Sequence, residues 1–172
     1  MANLVTRERL QPSMLDRLTD HNPEVKRENL DQQTLSMMAL RQAVLRDLAW
    51  LLNCTNLATT DDLDGLPLSA VSTLNYGIPG FTGMIANSSS LRSLESAIED
   101  AIRLYEPRIK PETLRVTARD QNDDNPLPAL SFLIEGELWA QPVPQQLFLE
   151  TSIEIETRLA IVTDAARVGG RG

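Results

Sequence analysis

Apolar residues recur at steps of three and four from Leu91 to Tyr105, through Leu94, Ile98, Ala101 and Ile102, and this spacing predicts a helix with one buried stripe. Its other face is polar, with Glu99 four residues before Arg103, a pair worth about 0.2–0.5 kcal/mol. Ser88, Ser89 and Ser90 offer N-caps, and Pro107 biases the residue before it away from helix, so the helix should stop near Tyr105. A second helical pattern covers Leu35 to Leu52. Met37, Leu40, Val44, Leu48 and Leu51 form one face, and Met38, Leu45 and Leu52 widen it enough to predict burial on two sides.

After Pro111 the period drops to two. Leu114, Val116 and Ala118 alternate with polar residues, as do Leu130, Phe132, Ile134, Gly136 and Leu138, and then Leu147, Leu149, Thr151, Ile153 and Ile155. Three consecutive strands with turn-rich connections predict an antiparallel meander, one face packed and one face wet. The fold class is therefore α+β: two helices packed on a three-stranded antiparallel sheet, preceded by an N-terminal helical arm. Residues 1–34 read as that arm, with one short helix from Pro12 to Leu18; residues 35–157 read as a single domain, and 158–172 as a flexible tail ending in Gly-Gly-Arg-Gly. An uncovered sheet edge is a template for an added strand, and the run from Leu147 to Ile155 is the expected edge on length.

Between the two helices, Asn75, Gly77, Pro79, Gly80 and Gly83 mark turns, yet Val71, Leu74, Tyr76, Ile78 and Phe81 are apolar. This predicts a packed loop, and such a loop must satisfy its own backbone groups. Asn75, Tyr76 and Gly77 are the residues expected to organise it.

Composition narrows the function. In 172 residues, 24 acidic and 16 basic side chains give a net charge of −8, which argues against nucleic acid or an anionic membrane as the main partner. A single cysteine, Cys54, permits no internal disulfide, and no apolar run approaches bilayer length, so a cytoplasmic protein is expected. No phosphate loop, dinucleotide fingerprint, HExxH or GxSxG motif occurs. Asp62, Asp64 and Gly65 resemble part of a calcium loop, but Thr60 and Val71 stand where the anchoring carboxylates belong, and Asp120 to Asn125 lacks the glycine. Neither cofactor nor metal is expected. His21, the only histidine, lies in a turn-like Asp-His-Asn-Pro with no orienting partner in view.

Glu106 stands out. It follows the end of a helix, where unpaired carbonyls carry partial negative charge and a carboxylate costs roughly 0.3–1 kcal/mol. Arg108, two residues on across Pro107, is the nearest compensating charge; a partner chain is the other candidate. A carboxylate that opposes the dipole adds little stability, so Glu106→Ala and Arg108→Ala are expected to leave the fold and its melting midpoint intact and to abolish partner binding; an internal contact would instead lower the midpoint and leave binding intact.

Four stretches together resemble a known family: Leu10-Gln11-Pro12-Ser13-Met14-Leu15-Asp16-Arg17-Leu18; Arg46-Asp47-Leu48-Ala49-Trp50-Leu51-Leu52-Asn53; Ser72-Thr73-Leu74-Asn75-Tyr76-Gly77-Ile78-Pro79; and Tyr105-Glu106-Pro107-Arg108. The family is TssE, the small baseplate wedge subunit of type VI secretion systems, itself similar to the lysozyme-like wedge proteins of contractile phage baseplates. The departures are Ala49, Thr73, Gly80 and Tyr105, where that family usually has an acidic residue, valine, Asp and Phe. The resemblance implies a structural subunit, not an enzyme. It implies contact with the wedge subunits TssF and TssG beside TssK, with Glu106, Pro107 and Arg108 as partner-binding residues, and templating of the sheath proteins TssB and TssC. The alternative is a carboxylate-dependent peptidoglycan hydrolase, in which Glu106 would act with a second Asp or Glu.

Overall fold

A computed structural model describes residues 13–19, 24, 37–80, 88–119, 129–139, 145–154 and 159–165. His21, the acidic run 120–125 and Phe81 lie outside them. The described residues form four helices, α1 (Met14–Leu18), α2 (Met37–Leu52), α3 (Pro67–Ala70) and α4 (Ser88–Tyr105), and four strands, β1 (Arg115–Arg119), β2 (Ala129–Leu138), β3 (Gln145–Glu154) and β4 (Ala160–Asp164).

The strands pair antiparallel in the order β1-β2-β3-β4. The class is α+β as expected, but the sheet has four strands rather than three. The fourth lies within the stretch read as a tail. Its alternation is only five residues long, and two side chains of α2 and its end hold it in place. Asn53 donates from Nδ2 to the Ala160 carbonyl at 2.9 Å and accepts the Ala160 N–H on Oδ1 at 2.9 Å. Arg41 grips both oxygens of Asp164, at 2.6 and 2.7 Å. Neither contact leaves a periodic signal. The run from Leu147 is consequently an interior strand, and the edges are β1 and β4.

The inward positions of the strands are those read from the alternation. Val116, Phe132, Ile134, Leu138, Leu147, Leu149 and Ile153 are buried against Leu40, Val44, Leu48 and Leu51 of α2 and Leu94, Ile98 and Ile102 of α4. Helix α4 begins at Ser88, so its serines form a first turn rather than a cap, and the Glu99–Arg103 pair closes at 2.6 Å. On α2 the stripe is narrower than predicted: Met37 and Leu45 pack against the core, but Met38 is exposed.

The loop between these helices divides in two. Ile78 is buried and its backbone bridges Thr55, with Ile78 N–H donating to the Cys54 carbonyl at 2.9 Å and Asn56 N–H to the Ile78 carbonyl at 3.0 Å. Gly77 makes that approach possible: its φ is +127°, and a Cβ there would collide with the Cys54 carbonyl. Asn75 accepts the Ala58 N–H on Oδ1 and donates to the Ala70 carbonyl, both at 2.9 Å. By contrast Leu68, Val71 and Leu74, expected to pack or left unassigned, face outward. Asp62 accepts the Asp64 N–H in a local turn.

Candidate functional site

Helix α4 ends where Glu106 N–H donates to the Ile102 carbonyl, and Pro107 turns the chain toward the sheet. There Trp139 N–H donates to the Arg108 carbonyl at 2.7 Å and Lys110 N–H to the Glu137 carbonyl at 2.9 Å, so residues 108–110 are tied to the end of β2. A proline with fixed φ between a helix stop and a strand-like segment leaves residues 106 and 108 little freedom.

Glu106 is only 3% exposed, and its carboxylate folds back on Arg108. Oε1 accepts the Arg108 backbone N–H at 3.1 Å and Nε–H at 2.6 Å; Oε2 accepts from Nη2 at 2.5 Å. The charge that opposes the helix dipole is therefore neutralised inside the chain, by the nearer of the two expected candidates. Arg108 Nη2 also donates to Asp47 Oδ2 of α2, Asp47 Oδ1 accepts from Arg46 Nε at 2.8 Å, and Arg46 Nη1 reaches Asp16 of α1 at 2.6 Å. Glu106, Arg108, Asp47, Arg46 and Asp16 form one chain of alternating charge from the turn after α4, through α2, to α1.

Burial lowers the Arg108 guanidinium, but the hydrogen bonds and charges of Glu106 and Asp47 outweigh it and hold it above its ordinary value. Burial likewise raises the Asp16 carboxyl, and Arg46, with Ser13, reverses the sign and holds it below the usual range. Burial pushes the hydroxyls of Tyr76 and Tyr105 up, with the neighbouring Cys54, Asp47 and Glu106 adding to the rise at Tyr76, so neither phenol is a base at neutral pH. The two rings meet edge to face at 5.2 Å, and Tyr105 Oη–H donates to the Ser72 carbonyl at 2.8 Å. This fastens the loop carrying Tyr76 and Gly77 to the end of α4.

Beside the charge chain lies an open cleft of about 520 Å³. Its walls include Leu15, Trp50, Leu51 and Tyr76 as well as Glu106 and Arg108. Trp50 is half exposed, with the Arg46 guanidinium 5.2 Å from its ring centre. The structure thus brings Tyr76 together with Glu106, Pro107 and Arg108, while Asn75 and Gly77 shape the loop behind them. Asp47 and Arg46 were given no role by sequence reasoning. They open one of the four stretches that resemble TssE, but an adjacent acid and base on the polar side of α2 does not reveal a partner 61 residues away.

A carboxylate that hydrolyses a glycosidic bond must be free to give or take a proton. Three of the acceptor positions of Glu106 are occupied by Arg108, and the nearest second carboxylate in the chain of charges, Asp47, shares the same guanidinium. This arrangement is suited to holding a turn rigid. Among the described residues no group of three or more His, Cys, Asp or Glu could hold a metal, and no helix is long and apolar enough to cross a membrane.

The family model for baseplate wedge protein gp25 matches residues 38–143, which covers α2, α4, β1 and β2 and the whole Glu106 turn. The chain belongs to the baseplate wedge protein gp25 family. No curated protein matches it. The gp25 family is structural, and membership gives this chain a structural role in a baseplate of the phage or type VI kind, in association with other baseplate components. The match takes in the cleft except for its α1 wall: Ser13 and Leu15 precede residue 38.

Proposed function

We propose that this chain is the TssE-like wedge subunit of a type VI secretion baseplate, acting in the cytoplasm. It joins TssF and TssG beside TssK through the cleft at the end of α4, and it templates the first ring of TssB and TssC sheath. One observation carries the reading. Every residue lining the cleft belongs to one of the four stretches that resemble TssE, although those stretches are scattered from residue 10 to residue 108. Such convergence is what a docking surface requires. Glu106, Pro107 and Arg108 set the shape of the cleft wall, and Asn75, Tyr76 and Gly77 hold the loop opposite. The templating edge in this reading is β4, since β3 is interior.

The test uses a residue that shapes the cleft without supporting the core. Trp50→Ala removes a half-exposed ring and should shift stability by about 0.5–1 kcal/mol at most. Co-purification with TssF and TssG should nonetheless be lost. Full wedge assembly by Trp50→Ala with an unchanged melting midpoint would remove the cleft from the interface.

A further inference from the structure

The element that closes the cleft on one side is poorly secured. Helix α1 has five residues, far short of the length at which a helix is stable alone. It also buries little: Met14 and Leu18 are 74% and 77% exposed, and Leu15 is 43% exposed. Among the described side chains its polar attachment is Asp16, which Ser13 orients by an Oγ–H donated to Oδ2 at 2.6 Å and which meets Arg46 Nη1 at 2.6 Å. Arg46 is in turn joined through Asp47 to Arg108. At the far end of that link, Arg108 Nη1 is buried yet finds no acceptor among the described residues. A buried donor left without a partner is costly, so a further acceptor at this place would be favoured.

We infer that α1 is a displaceable strap, whose Asp16 carboxylate occupies the guanidinium that an acidic segment of the wedge partner takes when it enters the cleft. The inference rests on the proposed function and adds the chemistry of the partner and the order of events. Lifting α1 removes Ser13 and Leu15 from the cleft wall and frees Nη1 of Arg46, whose Nε stays on Asp47. A segment bearing one carboxylate on an otherwise apolar face can then pair with Arg46, lay apolar side chains on the half-exposed Trp50, and bring an acceptor toward Arg108 Nη1. Because one carboxylate replaces another on Arg46, no charge is left uncompensated at the end of the exchange, which is what makes the strap removable. The released α1 carries Met14 and Leu18, one helical turn apart, available to the same partner.

The experiment uses the full chain and its Asp16→Ala variant, with Asp16→Glu as the charge-preserving control. Amide hydrogen exchange of residues 14–18 in the free chain reports the strap, and titration with the purified TssF–TssG complex reports binding. Asp16→Ala should expose the α1 amides, leave the melting midpoint of the domain unchanged, and tighten binding about two- to fivefold, because the partner no longer displaces a competitor. Asp16→Glu should behave as the parent. Unchanged α1 protection in Asp16→Ala overturns the strap, as does equal or weaker binding once α1 is free. If the parent and the variant both fail to bind TssF–TssG, the proposed function falls and the competition with it, whereas binding by the parent without tightening in the variant removes the strap alone.

Discussion

Ile109 is buried where two regions of the molecule meet. On one side Leu114, Phe132, Ile134, Leu138 and Leu149 pack the sheet against α2 and α4 with hardly a polar atom among them. On the other, one residue away, Arg108 is held between Glu106 and Asp47, and the chain of charges runs on to Asp16 at the surface. The first region is stabilised by area removed from water, which any apolar side chain of the right volume supplies. In the second, directional hydrogen bonds between unlike charges fix one geometry, and their net worth is small unless a member is lost. Breaking each side in turn should therefore give effects of different size and different dependence on solution conditions.

The largest effect belongs to the core. Phe132 is fully buried at the centre of the sheet, and Phe132→Ala should cost about 3–5 kcal/mol in a denaturant titration, with little sensitivity to salt or pH. A cost under 1 kcal/mol would mean that the sheet is not the stabilising centre.

Glu106→Ala comes next. It leaves Arg108 with Asp47 alone and strips its backbone N–H of an acceptor, so a loss of about 2–3 kcal/mol is expected, reduced from a fully buried pair because the guanidinium is partly exposed. The sequence-based expectation of an intact fold after this substitution does not suit a carboxylate so enclosed. Restoring half the contacts with Glu106→Gln should recover part of the loss; a Glu106→Ala midpoint equal to the parent's would put the pair back among surface charges.

Gly77→Ala tests the loop that lines the cleft, and so separates shape from charge. With φ at +127° and the Cys54 carbonyl in the way, an added methyl should cost about 1–3 kcal/mol. Chemical shift changes confined to residues 54–58 and 75–80 would locate the damage, and a neutral substitution would show that the bridge to Thr55 is not needed.

The smallest effect is the pH dependence of α1. The Asp16 carboxyl is depressed in the folded chain, so its contribution is complete above the ordinary carboxylate range and disappears as pH falls through the lowered value. The contribution is below about 1 kcal/mol for a pair so near the surface. Hydrogen exchange at residues 14–18 should accelerate on acidification relative to the α4 amides, after correction for intrinsic rates; a constant ratio would mean that Asp16 does not hold the helix.

The same contrast explains what could be read from the chain. Burial has a period, so Leu94, Ile98 and Ile102 announced α4, and Phe132, Ile134 and Leu138 announced β2, from spacing alone. Ion pairs between elements have none, although the pair within α4, Glu99 and Arg103, does. Glu106 was legible because a carboxylate at a helix end contradicts the dipole, and Arg108 because a proline held it close. Asp47, 61 residues from Arg108, offended no local rule. The exposed Met38 and Leu74 were misjudged for the complementary reason: an apolar residue costs little at a surface, so its pattern overstates what is covered. The fourth strand, no shorter than β1, escaped notice because Ile161 lies on its exposed face and Asp164 on the inner one, so its position rests on fastening from α2 rather than on an apolar alternation.

That fastening sets an order on synthesis. Asn53 and Ala160 are 107 residues apart, and Arg41 and Asp164 are 123 apart, so the contacts that finish the sheet join its first long helix to its last strand. A ribosome delivering this protein releases α2 long before the strand it must clasp, and closing so long a loop is slow compared with forming either helix. Until Ala160 emerges, the free side of β3, including Leu149 and Thr151, lacks its neighbour. A chain truncated after Glu154 should accordingly remain open to protease and acquire resistance only when the residues through Asp164 are restored.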